Sequence, residues 1–139
     1  MTERIWFPAV LSLLPLLALI TTTVFAQDIP QIAAGEAAWN KAVCLECHGS
    51  TGEGGAGGEF AAGPSLRKTR LDRAALVETI SCGIPGTQMP AWLDRAYTQR
   101  SCYGFPPGPP PDGTTLTPVL SADEVDALAD YLLAKVVGR

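Results

Sequence analysis

A single histidine, His48, stands in 139 residues, and methionine occurs only as Met1 and Met89. That scarcity excludes chemistry built on paired imidazoles and leaves few side chains able to bind a soft or borderline metal. Charge is sparse as well: 17% of residues are charged, with 10 Lys and Arg against 14 Asp and Glu, for a formal net charge of −4. A mildly acidic surface argues against nucleic acid as a partner. No alternation of apolar and polar residues is long enough to read as a strand, and no internal repeat is present. A small all-α domain is the expectation.

One long hydrophobic run does exist. Residues 5–20, "IWFPAVLSLLPLLALI", follow a short head carrying Arg4 and precede "TTTVFA", with small residues at Val24 and Ala26. This is the pattern of a signal peptide, 1–26, cut after Ala26, which leaves 27–139 as one exported domain. The other reading is an uncleaved membrane anchor, and Pro8, Pro15 and the threonines count against it. Glu3 and Arg4 leave together, so the net charge is the same for 27–139.

Residues 32–43, "IAAGEAAWNKAV", are alanine-rich and free of proline, and predict a helix that leads directly into Cys44, with Gly35 and Trp39 on one face. Residues 49–66 are glycine-rich and read as a loop, with 52–58 a flexible spacer. Asp72 to Cys82 carries an acidic N-cap, apolar Leu76 and Ile80, and a stop at Gly83, which predicts a short helix. Ser121 and Glu124 form a capping-box pattern. Val125, Leu128, Ala129, Leu132, Leu133 and Val136 then make one apolar stripe. Three short helices bury too little to hold loops of this length, so a further source of core and cross-links is required.

"CLECHG" supplies a candidate. Cys44-x-x-Cys47-His48 is the spacing of covalent haem attachment: two thiols reach the two vinyl groups of one porphyrin, and the next residue places an imidazole at the iron. Competing readings are a thioredoxin-like redox pair, a zinc site recruiting a further cysteine, and a Cys44–Cys47 disulfide. The first wants a strand before the motif, and the last leaves His48 without a role. A buried haem would also be the missing core. For the iron's other face the strongest candidate is Met89, in "GIPGTQMPAW", although a lone methionine can equally fill a gap in a core. Cys82 and Cys102 flank that loop, and in an oxidising compartment their simplest fate is to pair. Such a bridge contributes about 3 kcal/mol through the unfolded state and braces the Met89 segment, or merely tethers the proline-rich insert.

With these motifs the chain resembles the class I, monohaem cytochromes c over roughly residues 32–137. "GPSL", Gly63 to Leu66, is similar to the family's proline segment, which implies that a carbonyl near Pro64 orients the imidazole of His48. Gly35 and Trp39, with Leu128 and Tyr131, are similar to the residues at its first and last helix contact. Two departures stand out. Trp39 lies five residues before Cys44, where the family usually has four, and the segment 94–118, "DRAYTQRSCYGFPPGPPPDGTTLTP", is longer than the usual link.

The resemblance implies an all-α cytochrome c-like fold, one covalent haem c with its iron, and electron carriage in the bacterial periplasm. Its partners would be a dehydrogenase, an oxidase or another cytochrome, with a membrane involved only if the leader stays. One alternative is a dedicated haem subunit of a periplasmic dehydrogenase of quinoprotein or molybdenum type. For that role Trp92, Tyr97, Tyr103 and Phe105 in and beside the insert suit a docking surface, or else ordinary loop packing. Another is a haem sensor or peroxidase with an open iron site. No catalytic residue is expected, because His48 is committed and the carboxylates form no evident pair.

Overall fold

The computed structural model describes residues 25–55 and 58–139. Except for Phe25 and Ala26, the leader lies outside the described residues. Helix α1 spans Phe25–Lys41 and takes Pro30 inside it. It therefore begins seven residues before the proline-free segment from which a helix was expected. Its other end also differs. The helix does not run into Cys44 but stops, and a separate turn, α2 (Leu45–His48), carries the motif. Between them Val43 adopts a left-handed φ of 46°, and the Cys44 N–H reaches back five residues to the Trp39 carbonyl at 3.2 Å. The extra residue between Trp39 and Cys44 is absorbed here, at a conformation costly for a β-branched side chain.

Helix α3 (Arg73–Cys82) has the expected ends. The Asp72 side chain accepts from the Ala75 N–H, and Gly83 stops the helix at φ 64°. A Cβ at Gly83 would stand 2.5 Å from the Ala91 nitrogen, so the tight return after the helix requires glycine. Helix α4 (Ala122–Tyr131) opens with the complete Ser121–Glu124 capping box and widens into a π-helical turn, Leu132–Val136. Val125, Leu128, Ala129, Leu132 and Val136 are buried as the stripe predicts; Leu133, at its edge in the widened turn, is 38% exposed.

Two strands were not anticipated. β1 (Ala91–Leu93) and β2 (Leu116–Leu120) pair in parallel, with Ala91 opposite Leu116 and Leu93 opposite Leu120. At this length neither strand can show an alternation, and their pairing depends on the insert returning to the methionine loop. The fold remains helical in character, with this ribbon beside α3.

Helices α1 and α4 cross at Gly35. A Cβ there would lie 2.1 Å from the Ala127 carbonyl oxygen and 2.5 Å from Tyr131 Cβ. Only a hydrogen fits, so the helices meet backbone to backbone. Trp39 packs beside this crossing, its ring centroid 6.4 Å from that of Tyr131. Ion pairs Lys41–Glu124 at 2.7 Å and Arg73–Asp130 at 2.6 Å tie α1 and α3 to α4. The main core joins Trp39, Leu76, Ile80, Trp92, Leu128 and Leu132 with their neighbours, and a second, smaller core gathers Cys82, Ala91, Ala96, Tyr97 and Cys102.

Candidate haem cleft

Between α2, the Gly63–Leu66 segment, α3, the methionine loop and α4 lies an apolar cleft of about 300 Å³, within the range of small-molecule and cofactor sites. Trp39, Cys44, His48, Pro64, Met89 and Trp92 are among the residues that line it. The structure thus brings Cys44, His48, Pro64 and Met89 to one space. Cys47 is half-buried in the same turn as Cys44 and His48 but is not among the lining residues.

The position of His48 is set by the glycine-rich segment. Its Nδ1 lies 2.9 Å from the Pro64 carbonyl oxygen. A proton on Nδ1 makes that bond and leaves Nε2 as the nitrogen with a free lone pair. Gly63 makes the approach possible, because a Cβ there would stand 2.9 Å from both Cε1 and Nδ1 of the imidazole. The spacer expected at 52–58 is, in its described part, not a spacer. The Gly54 N–H donates to the His48 carbonyl at 2.7 Å, Gly55 to Gly63 at 3.0 Å, and Gly63 to Cys47 at 2.7 Å. The Gly52 carbonyl accepts from Leu66 at 2.9 Å and from Arg67 at 3.3 Å. Glu53 adds a carboxylate that accepts from the Thr51 N–H and hydroxyl, each at 2.8 Å. These bonds offset the entropy of the glycines and hold the Pro64 carbonyl in place.

Met89 is held with similar care. The Ile84 N–H donates to the Met89 carbonyl at 3.0 Å. The Met89 N–H donates to the Thr87 hydroxyl at 3.1 Å, and that hydroxyl donates to the Ile84 carbonyl at 2.7 Å. Gln88 Oε1 accepts from the Ala61 N–H at 3.3 Å, linking this loop to the segment that carries Pro64. Cys82 and Cys102 are joined as expected, S–S 2.02 Å, and both are buried.

Two competing chemistries lose their footing. Burial pushes the Cys44 thiol up to about 12, the opposite of the lowered pKa a thiol–disulfide nucleophile needs. A zinc site would have to recruit a third cysteine, and the two others are bonded to each other. The haem reading meets a specific test in the same cleft. Trp92 is 8% exposed, and its indole N–H is buried without a hydrogen-bond partner. A buried orphan donor is costly, so the cleft's occupant should bring an acceptor as well as an apolar body. Haem is a flat apolar ring bearing two carboxylates, and it fits this lining. The docking role imagined for the aromatics divides: Trp92 and Tyr97 are buried, whereas Tyr103 and Phe105 are 43% and 66% exposed. Sequence reasoning did not assign Trp92 to the cleft; its place three residues after Met89 was the available signal.

The family model described as "Cytochrome C oxidase, cbb3-type, subunit III" matches residues 30–101, just over half of the chain. Among solved structures, the chain is similar to oxidized cytochrome c6A from Arabidopsis thaliana at 20% identity, covering 76% of this chain and 90% of that one, with a TM-score of 0.49. No curated protein matches. The family match extends through the attachment motif, the glycine-rich segment and the methionine loop. The chain belongs to this cytochrome c family and is a class I c-type cytochrome, an electron-transfer protein with covalently bound haem c.

Proposed function

We propose that residues 27–139 form an exported, periplasmic electron carrier in which Cys44 and Cys47 attach the haem and His48 and Met89 hold its iron. The observation that carries this reading is the apolar cleft that Cys44, His48 and Met89 line together. When bound, the haem supplies an iron that cycles between ferrous and ferric states, and Met/His ligation favours a relatively high potential. The chain's own residues do the rest. Pro64 fixes the tautomer and ring direction of His48, and the apolar walls keep water from the iron, which raises the potential further. Trp92, whose buried indole N–H has no partner among the described residues, would offer a donor to a carboxylate of the group. With two protein ligands there is no open position for a substrate, so the site carries electrons and does not catalyse.

Cleavage after Ala26 is supported by α1 itself. A chain starting at Gln27 puts Pro30 in the first four helical residues, whose N–H groups lack intrahelical partners in any case. The family's description as an oxidase subunit favours a second reading, a fixed haem subunit of an oxidase or dehydrogenase. Purification of the chain at a constant ratio with a larger enzyme would support that reading, and a free monomer the carrier.

The test of ligation is the absorption spectrum of the exported protein, oxidised and reduced, followed by exposure of the reduced form to carbon monoxide. The carrier predicts a methionine-to-ferric-iron charge-transfer band and slow binding of carbon monoxide. No such band together with rapid binding would give the site to a sensor or peroxidase.

A further inference from the structure

Segment 94–118 returns to the methionine loop at its start, its apex and its end. At the start, the Tyr97 hydroxyl donates to the Cys82 carbonyl at 2.9 Å and the Tyr103 hydroxyl donates to the Gly83 carbonyl. These carbonyls close α3, where a helix leaves its last acceptors unsatisfied. The disulfide joins the same point to Cys102. At the apex, the Gly86 N–H donates to the Gly113 carbonyl at 3.0 Å; at the end, the Ala91 N–H donates to the Thr115 carbonyl at 2.8 Å. Glu78 on α3 anchors the arrangement by accepting from Arg100 at 2.9 Å and from the Tyr103 N–H.

The two tyrosines carry a local cost. Tyr97 and Tyr103 have left-handed φ values of 65° and 54°. Bulky residues rarely hold that conformation, and it persists where surrounding contacts over-determine it. In both cases the residue so strained is the one whose phenol reaches the last turn of α3. Tyr103, Gly113 and Thr115 also lie beyond the family match, which ends at residue 101.

We infer that segment 94–118 is a clamp on the methionine loop, with Tyr97 and Tyr103 as positioning residues that keep Met89 on the iron and so keep the iron closed to outside ligands. This rests on Met89 being the ligand proposed above. The clamp sets how often the loop opens: each phenol lost leaves a carbonyl of α3 short of a partner and favours the open loop. It acts through Met89 and does not touch the iron.

The test uses carbon monoxide binding to the reduced, haem-loaded full chain, with Tyr103→Phe, Tyr97→Phe and the double variant. Each change keeps the ring and removes only the hydroxyl. The expected result is binding roughly tenfold faster for each hydroxyl removed, with the charge-transfer band weakened and helix content unchanged. Lys41→Ala serves as control, since it removes the exposed Lys41–Glu124 ion pair between α1 and α4, which involves neither segment 94–118 nor the methionine loop, and should leave the binding rate as in the parent. If Tyr97→Phe does not fold, Tyr103→Phe alone decides, because that residue is partly exposed. Faster binding in the tyrosine variants but not in the control supports the clamp. A parent that shows the band, with variants that bind at the parent rate, overturns it. A parent without the band that binds rapidly overturns the ligation reading instead, and the clamp with it.

Discussion

Replacing Gly35 by alanine sets two effects of opposite sign against each other. Within a helix, alanine is favoured over glycine by about 0.5–1 kcal/mol, because glycine loses more backbone freedom on folding. At the α1–α4 crossing, however, the new methyl would stand 2.1 Å from the Ala127 carbonyl oxygen and 2.5 Å from Tyr131 Cβ. The first of these is backbone and cannot swing aside, so the helices must separate. Overpacking of this kind costs about 1–3 kcal/mol. The net expectation for Gly35→Ala is a loss of about 1–2 kcal/mol, or about 5 °C in Tm. Guanidinium unfolding of the haem-loaded protein, followed by circular dichroism, measures it, and an unchanged m-value would assign the effect to the folded state. Because propensity alone predicts stabilisation, a variant as stable as the parent or more so would refute the close crossing.

Gly63→Ala should press a methyl against His48 and lengthen its bond to the Pro64 carbonyl. A less basic imidazole stabilises the ferric state less, so the reduction potential should rise by tens of millivolts in a redox titration; an unchanged potential would separate Gly63 from the iron. Ser121→Ala removes half of the capping box and should cost about 1 kcal/mol in thermal unfolding. Asp130 and Glu124 are held below their ordinary values, chiefly by hydrogen bonds from Arg73 and Lys41 respectively. Burial raises Glu78, but the Tyr103 N–H and Arg100 outweigh it, and its net shift is also downward. A depressed carboxylate contributes stability above its unfolded value, about 4, and loses it as pH falls through the folded value. At the alkaline end, burial raises Tyr103 above its ordinary value, so its donor is in place at neutral pH and is lost only above about 10. Stability should therefore hold from about pH 5 to 9 and fall below about 4; a steep loss between pH 5 and 7 would contradict these assignments.

What could be read from the sequence was local. The capping box at Ser121, the Asp72 and Gly83 bounds of α3 and the attachment motif each occupy a few consecutive residues whose chemistry does not depend on distant partners. What could not be read depends on the chain coming back on itself. Gly52 and Gly54 look like a spacer until their bonds to Leu66 and His48 are known. Strands β1 and β2 are too short to show a period and pair across the whole insert. Tyr97 can be read from the sequence as docking surface or as loop packing, and only the bond from its hydroxyl to the Cys82 carbonyl at the end of α3 decides for packing. Val43 could not be anticipated as a left-handed residue from its type, and only the extra position before Cys44 hinted that the helix must break there.

The central claim is that Cys44 and Cys47 hold the haem covalently beside His48. It is tested most directly by mass spectrometry of the acid-denatured, trypsin-digested protein, exported from a cell able to attach haem. Cleavage after Lys41 and Arg67 releases the peptide 42–67, which contains both thiols and the histidine. With both thiols joined to the porphyrin, this peptide carries one haem and has no free thiol. A peptide without haem, whether its cysteines are free or joined to each other, would contradict it.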